Sequence, residues 1–138
     1  LRVSCFRENA QKYGLVYDPD LVLCGNYPIV KAYNVGYELC EALIRSGSSF
    51  DSLLCMTDMM ALGALKALFD CGRRVPQDVS VIGCDDLDFT GFFQPALTTI
   101  AVDKKAEAYA YVDLILDEAA SENDVRRIPP RLVERSSV

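Results

Sequence analysis

The sequence predicts an α/β domain built on a parallel sheet. Short apolar runs alternate with amphipathic stretches of ten or more residues, the pattern of βαβ packing. Gly14, Gly47 and Gly72 close the helical stretches. The run Arg74–Asp86, RVPQDVSVIGCDD, leads from a proline-bounded turn into an apolar strand that ends at Gly83 and is followed at once by two carboxylates. Ligands of open α/β sheets bind beyond the carboxyl ends of the strands, so Asp85 and Asp86 stand where a small polar ligand would be read.

The elements follow in order. Val3–Tyr13 has helical spacing, with Phe6 and Ala10 on one face. Leu21–Cys24 is short and apolar and reads as a strand. Val30–Arg45 repeats Tyr33, Tyr37, Cys40 and Ile44 at helical spacing. Ser52–Met56 is the next strand, and Met59–Phe69 the next helix, with Asp58 as its expected N-terminal cap. Val79–Gly83 is the third strand. A loop with Phe89, Phe92, Phe93 and Pro95 leads to a fourth, Leu97–Val102. Ala106–Ala119 is a long helix whose expected apolar stripe is Tyr109, Val112, Ile115 and Leu116. The polar loop Ser121–Arg127 precedes a last short strand, Pro129–Glu134, whose Pro-Pro start suits a sheet edge. The pattern opens on a helix, so a doubly wound fold requires at least one further strand upstream, absent or supplied elsewhere.

Composition narrows the function classes. The chain has 138 residues, 51% of them hydrophobic, a size and balance suited to one globular core. A formal charge of -6 argues against this segment gripping a phosphate backbone. The longest apolar runs are too short to span a bilayer, so no membrane association is expected. Six cysteines are widely spaced without a C-x-x-C pair; buried thiols in a reducing cytoplasm are the leading reading, against a disulfide framework or metal site. The chain has no histidine, the commonest general base near neutral pH. No nucleophile–base pair and no glycine-rich phosphate motif stands out, so neither an enzyme, a metal nor a cofactor is expected.

Several blocks together resemble the LacI/GalR family of bacterial transcriptional regulators. Arg2-x-x-Cys5-Phe6 is similar to the family's R-x-x-G-F helix opening, and Gly25-Asn26-Tyr27 to its strand exit. Thr57–Leu65 (TDMMALGAL) resembles N-D-x-M-A-L-G-A, and Val75–Asp86 resembles V-P-x-D-x-S-V-x-G-x-D-D. Pro95–Ile100 resembles P-x-L-T-T-I, and Leu132–Ser137 the terminal L-x-x-R-x-S. The resemblance runs through essentially the whole chain, and its strength lies in the order and spacing of the blocks.

The resemblance implies an incomplete Rossmann-like lobe of a type I periplasmic-binding-protein-like domain. Residues 1–101 would form the main part of the C-terminal effector-binding lobe, 102–124 a crossover helix belonging to the first lobe, and 125–138 the return strand. It implies a small-molecule effector, a sugar or related metabolite, with pentose, hexose, disaccharide and nucleobase all open. It also implies a homodimer, and operator DNA held through an N-terminal headpiece outside this sequence. A lobe of a periplasmic-type sugar-binding protein or receptor is the rival reading; the Asp85-Asp86 pair and the cysteines favour the regulator.

By this resemblance the ligand-binding candidates are Arg2, Tyr27, Thr57 and Asp85. An arginine fork can hold two ligand oxygens, and a carboxylate can accept from two adjacent hydroxyls. An aromatic face suits a pyranose or a planar base. Each has a plainer alternative: a solvated arginine, ordinary packing, or a local backbone cap. Asp86 is expected to shape the turn. Met60, Leu65 and Phe93 are dimer-interface candidates, against burial within one subunit. Thr57 stands where many members carry Asn, and Cys5 where they carry Gly. Val102 and Lys104 replace the Gln and Phe of some sugar-responsive members, so no familiar effector carries over.

Overall fold

A computed structural model describes residues 2–25, 28, 31–117, 121 and 124–138, with Arg2 through its backbone alone. The helices are α1 (Arg2–Lys12), α2 (Ala32–Arg45), α3 (Asp58–Asp70) and α4 (Lys104–Leu116). The strands are β1 (Ser52–Leu54), β2 (Ser80–Cys84), β3 (Thr98–Ala101) and β4 (Arg131–Val133). They form one sheet in the order β1-β2-β3-β4. β1, β2 and β3 run parallel, in register Leu53↔Val81 and Gly83↔Thr99. The α/β class thus stands, but the sheet is mixed: β4 pairs antiparallel to β3, Ile100 opposite Leu132.

Capping explains where α3 and α4 begin. Thr57 Oγ1 accepts from the Met60 amide at 3.2 Å and starts α3, and Asp103 accepts from the Lys105 and Ala106 amides at 3.0 Å and starts α4. The α3 cap is therefore Thr57; the expected Asp58 is the first residue inside the helix, and its carboxylate points elsewhere. Gly72, at φ +71°, turns the chain out of α3.

The core lies where α2 and α3 cover one face of the sheet. Cys40, Ala61, Leu62, Ala64, Ala67 and Leu68 meet Val79, Val81 and Leu97 there. Small residues set how closely the helices approach. A Cβ on Gly36 would strike the Met60 carbonyl, and one on Gly63 the Tyr33 carbonyl, so the two backbones touch where both helices carry glycine. The sheet is also laced from the far end of the chain. Ser137 is fully buried; its hydroxyl donates to the Val81 carbonyl at 2.6 Å and accepts from the Thr98 amide at 2.8 Å. Its own carbonyl accepts from the Val81 amide at 2.8 Å.

Three sequence expectations are corrected. Leu21–Cys24 is not a strand. Pro19–Leu21 forms a 3-10 turn capped by the Asp18 side chain, and the following residues run on without ladder pairing. A strand needs a partner, and an apolar groove of about 540 Å³ separates this run from β1, with Phe6 and Ala10 of α1 beside it. The cysteines are all thiols, but Cys5, Cys24 and Cys71 are exposed rather than buried. Burial pushes the Cys40 thiol up to about 11 and the Cys55 thiol up to about 12. Finally, the expected stripe of α4 faces solvent: Tyr109, Val112, Ile115 and Leu116 are all exposed, and the helix has no buried residue. Among the described residues no helix is long and apolar enough to cross a membrane.

Candidate functional site

The centre of the site is the turn that leaves β2. Asp85 has φ 125° and Asp86 φ 51°, two consecutive side-chain-bearing residues in a region that favours glycine. Their conformation is over-determined by neighbours. The Asp85 amide donates to the Ile100 carbonyl at 2.9 Å. The Asp86 amide donates to Thr99 Oγ1 at 3.4 Å, and the Leu87 amide to Asp58 Oδ2 at 2.9 Å. Three successive amides are thus paired, each with a different anchor.

Asp58 is the hub beneath the turn. It is fully buried, and its other oxygen accepts from Thr99 Oγ1 at 2.6 Å, itself fully buried. A Cβ on Gly83 would collide with this carboxylate, so glycine at the strand exit is what admits it. From the other side, Arg135 Nη2 donates to Asp86 Oδ1 at 2.7 Å, and Arg131 Nη2 lies 3.6 Å from Asp86 Oδ2. Both Asp86 oxygens therefore face a guanidinium.

An open groove of about 700 Å³ lies at the carboxyl ends of β2 and β3. Asp85 and Asp86 line it on one side; Val102, Asp103, Lys104, Lys105 and Arg131 are among its other residues, with the start of α4 as one wall. It brings acceptors and donors of both charges to one surface, as recognition of a small polar molecule requires. The pattern is not phosphate-specific, because the carboxylates stand among the cations.

The other candidates sit as follows. Thr57 is half-buried and uses its oxygen at the start of α3; it is not part of this groove. Arg2 opens α1. Tyr27 lies outside the described residues. Leu65 packs against the core, Met60 is half-buried with its backbone under Gly36, and Phe93 is exposed beside Phe89. Sequence reasoning gave no role to Thr99, Arg131 or Arg135. A threonine pair inside an apolar strand was a usable signal for Thr99, since buried hydroxyls need partners. For Arg135 the terminal L-x-x-R-x-S block marked the residue but not its role, because its partner Asp86 lies 49 residues away in the chain; Arg131 gave no signal.

Known proteins extend this picture. Residues 1–138 match the periplasmic binding protein-like domain family. The chain is 32% identical over 141 residues to the HTH-type transcriptional repressor PurR of Histophilus somni (strain 129Pt), covering 100% of this chain and 41% of that protein. Among solved structures, a putative LacI-family regulator from Sanguibacter keddieii DSM 10542 superimposes with a TM-score of 0.84 at 30% identity, over 99% of this chain and 52% of that one. The transcriptional regulator CelR in its cellobiose complex gives 0.80 at 30% identity, over 99% of this chain and 42% of that one. The chain spans about two-fifths of the length of the curated relatives it matches, 41% of PurR for example. With the whole sequence matched and the fold shared, this chain belongs to the LacI/GalR family, as part of its periplasmic-binding-protein-like effector domain.

Proposed function

We propose that the chain is the effector-sensing and dimerising part of a LacI-type DNA-binding transcriptional regulator. Its effector is a small polyhydroxylated metabolite, a sugar or a close relative. The observation that carries this reading is the Asp85–Asp86 turn, held by Ile100, Thr99, Asp58 and Arg135 at the mouth of a groove of mixed charge. In that arrangement Asp85 accepts hydrogen bonds from adjacent hydroxyls, while Lys104, Lys105 and Arg131 offer donors and Val102 an apolar contact. PurR and CelR, similar along this whole chain, are named as regulators, and CelR is seen with cellobiose.

In this reading the groove is half of a cleft. α4 exposes Tyr109, Val112, Ile115 and Leu116 and contributes no buried residue, which suits a helix meant for a second layer. We assign residues 102–124 to the other lobe, 1–101 and 125–138 to this one. An effector bound between the lobes favours one arrangement and so shifts operator affinity. Operator contact falls to a headpiece outside residues 1–138, in keeping with a charge of -6 here. The regulator works in the cytoplasm, without cofactor, metal or turnover.

The test is calorimetric binding of D-ribose, D-glucose, lactose, cellobiose, adenine and hypoxanthine to the intact protein and to D85N. A ligand bound by the parent, recovered chemically unchanged, and weakened about 10–100-fold by D85N supports the proposal, that loss being the worth of a hydrogen bond to a charged group. Equal affinity in the two proteins removes Asp85 from the site; no binding across the panel sinks the proposed effector class.

A further inference from the structure

We propose that Arg135 is the positioning residue of the binding turn: it sets the direction of Asp85 by clamping Asp86, without touching effector itself. This rests on the reading of Asp85 as an effector ligand. Arg135 lies two residues beyond β4, with its side chain 22% exposed. One end of its guanidinium is rooted in the frame. Nη1 donates to the Leu97 carbonyl at 2.7 Å and to Thr90 Oγ1 at 3.1 Å, and both residues are fully buried. Leu97 and Thr90 are themselves joined, the Leu97 amide donating to the Thr90 carbonyl at 3.0 Å. The Arg135 amide donates to Thr98 Oγ1 at 2.9 Å, which fixes the backbone as well. The other end, Nη2, reaches Asp86 Oδ1 at 2.7 Å.

The planar fork spans these points at once because its donors sit at fixed angles. A lysine keeps the charge but offers one nitrogen, which cannot hold the Leu97–Thr90 frame and Asp86 in the same geometry. Arg131 is no substitute, being mostly exposed and 3.6 Å from the far Asp86 oxygen. The turn is also one that L-residues adopt rarely, at φ 125° and 51°, so it keeps its shape only while its holds last. The amides of Asp85, Asp86 and Leu87 are held from β3 and α3; the clamp on the Asp86 side chain comes from Arg135.

Two readouts on the intact protein test the proposal: amide hydrogen exchange across residues 84–88, and calorimetric affinity for the ligand panel above. R135K is expected to speed exchange across 84–88 about 10-fold or more and to weaken a D85N-sensitive ligand about 10–100-fold, the range for losing a charge-assisted hydrogen bond. Exchange in α3 stays as in the parent, which separates a local clamp from a general loss of stability. R131Q changes exchange across 84–88 less than about 3-fold, as an exposed ion pair should; affinity is not read from this variant, because Arg131 lines the groove. D86N, which keeps the side chain's size, reproduces the R135K effect, and the double variant adds little to it because both remove one interaction. Unchanged exchange across 84–88 in both R135K and D86N overturns the clamp. If no panel compound binds, the effector reading fails, and the exchange result still decides whether Arg135 holds the turn.

Discussion

Removing the Asp58 carboxylate tests how the strand exit is held together. In D58A the Leu87 amide loses an acceptor at 2.9 Å and the Thr99 hydroxyl one at 2.6 Å. A hydrogen bond to a charged group is worth about 1.5–3 kcal/mol, and a buried donor left without a partner forfeits its hydration as well. Asp58 and Thr99 are both fully buried, so water does not make up the loss. The two terms share one carboxylate and are not fully additive, which places D58A at about 3–5 kcal/mol. D58N is the informative control. Its carbonyl can keep the Leu87 amide while its NH2 donates to Thr99, whose hydroxyl then accepts instead of donating, and the cost falls to about 1–2 kcal/mol. Urea unfolding of the intact protein, compared at a common slope, gives both values. A D58A cost below about 1 kcal/mol, or D58N as damaging as D58A, would refute the hub role.

Three further outcomes are expected. G63A places a methyl group against the Tyr33 carbonyl and the Tyr37 amide, where rigid backbone cannot yield, and should cost about 3 kcal/mol or more in the same unfolding assay. I115D distinguishes an α4 that belongs to a second lobe from one that stays in water. Ile115 is 81% exposed here, yet if another lobe covers it the intact protein should lose about 2–3 kcal/mol, against about 0.5 for a surface site. The Arg74 side chain and amide hold the Asp78 carboxyl down to about 2 from the usual 3.8. Because the folded value is the lower, the stabilisation is present above about pH 4 and is lost as pH falls through about 2; carboxyl NMR titration of R74Q should return Asp78 towards 3.8.

Local signals in the sequence were enough for the helices. A polar cap, a run of Ala, Leu and Met, and a glycine stop specify α3 to within a residue, because each acts over one helical turn. Cap identity was harder: Thr57 and Asp58 are both good caps, and what draws Asp58 away are partners 29 and 41 residues along the chain. Strands depend on neighbours that local pattern does not reveal. Leu21–Cys24 has the composition of a strand but lacks a ladder, and the three residues of β4 carry no mark of their direction. The same limit governs the site. The position of Asp85 and Asp86 beyond a strand was legible; their left-handed backbone and the guanidinium that meets Asp86 were not, since both arise from contacts assembled in three dimensions.

The burial of Ser137 bears on how the molecule is made. Its hydroxyl bridges β2 and β3, yet it is synthesised 39 residues after Thr98 and 56 after Val81. At roughly 5–20 residues per second, a ribosome needs about 2–8 s to go from Thr98 to Ser137 and about 3–11 s from Val81. Through that time the Thr98 amide and Val81 carbonyl lack their final partner, while β2 and β3 can pair only through their own ladder. The last bonds of the sheet are thus supplied only when synthesis is nearly over, so completion of this core depends on the final residues rather than on the strands alone.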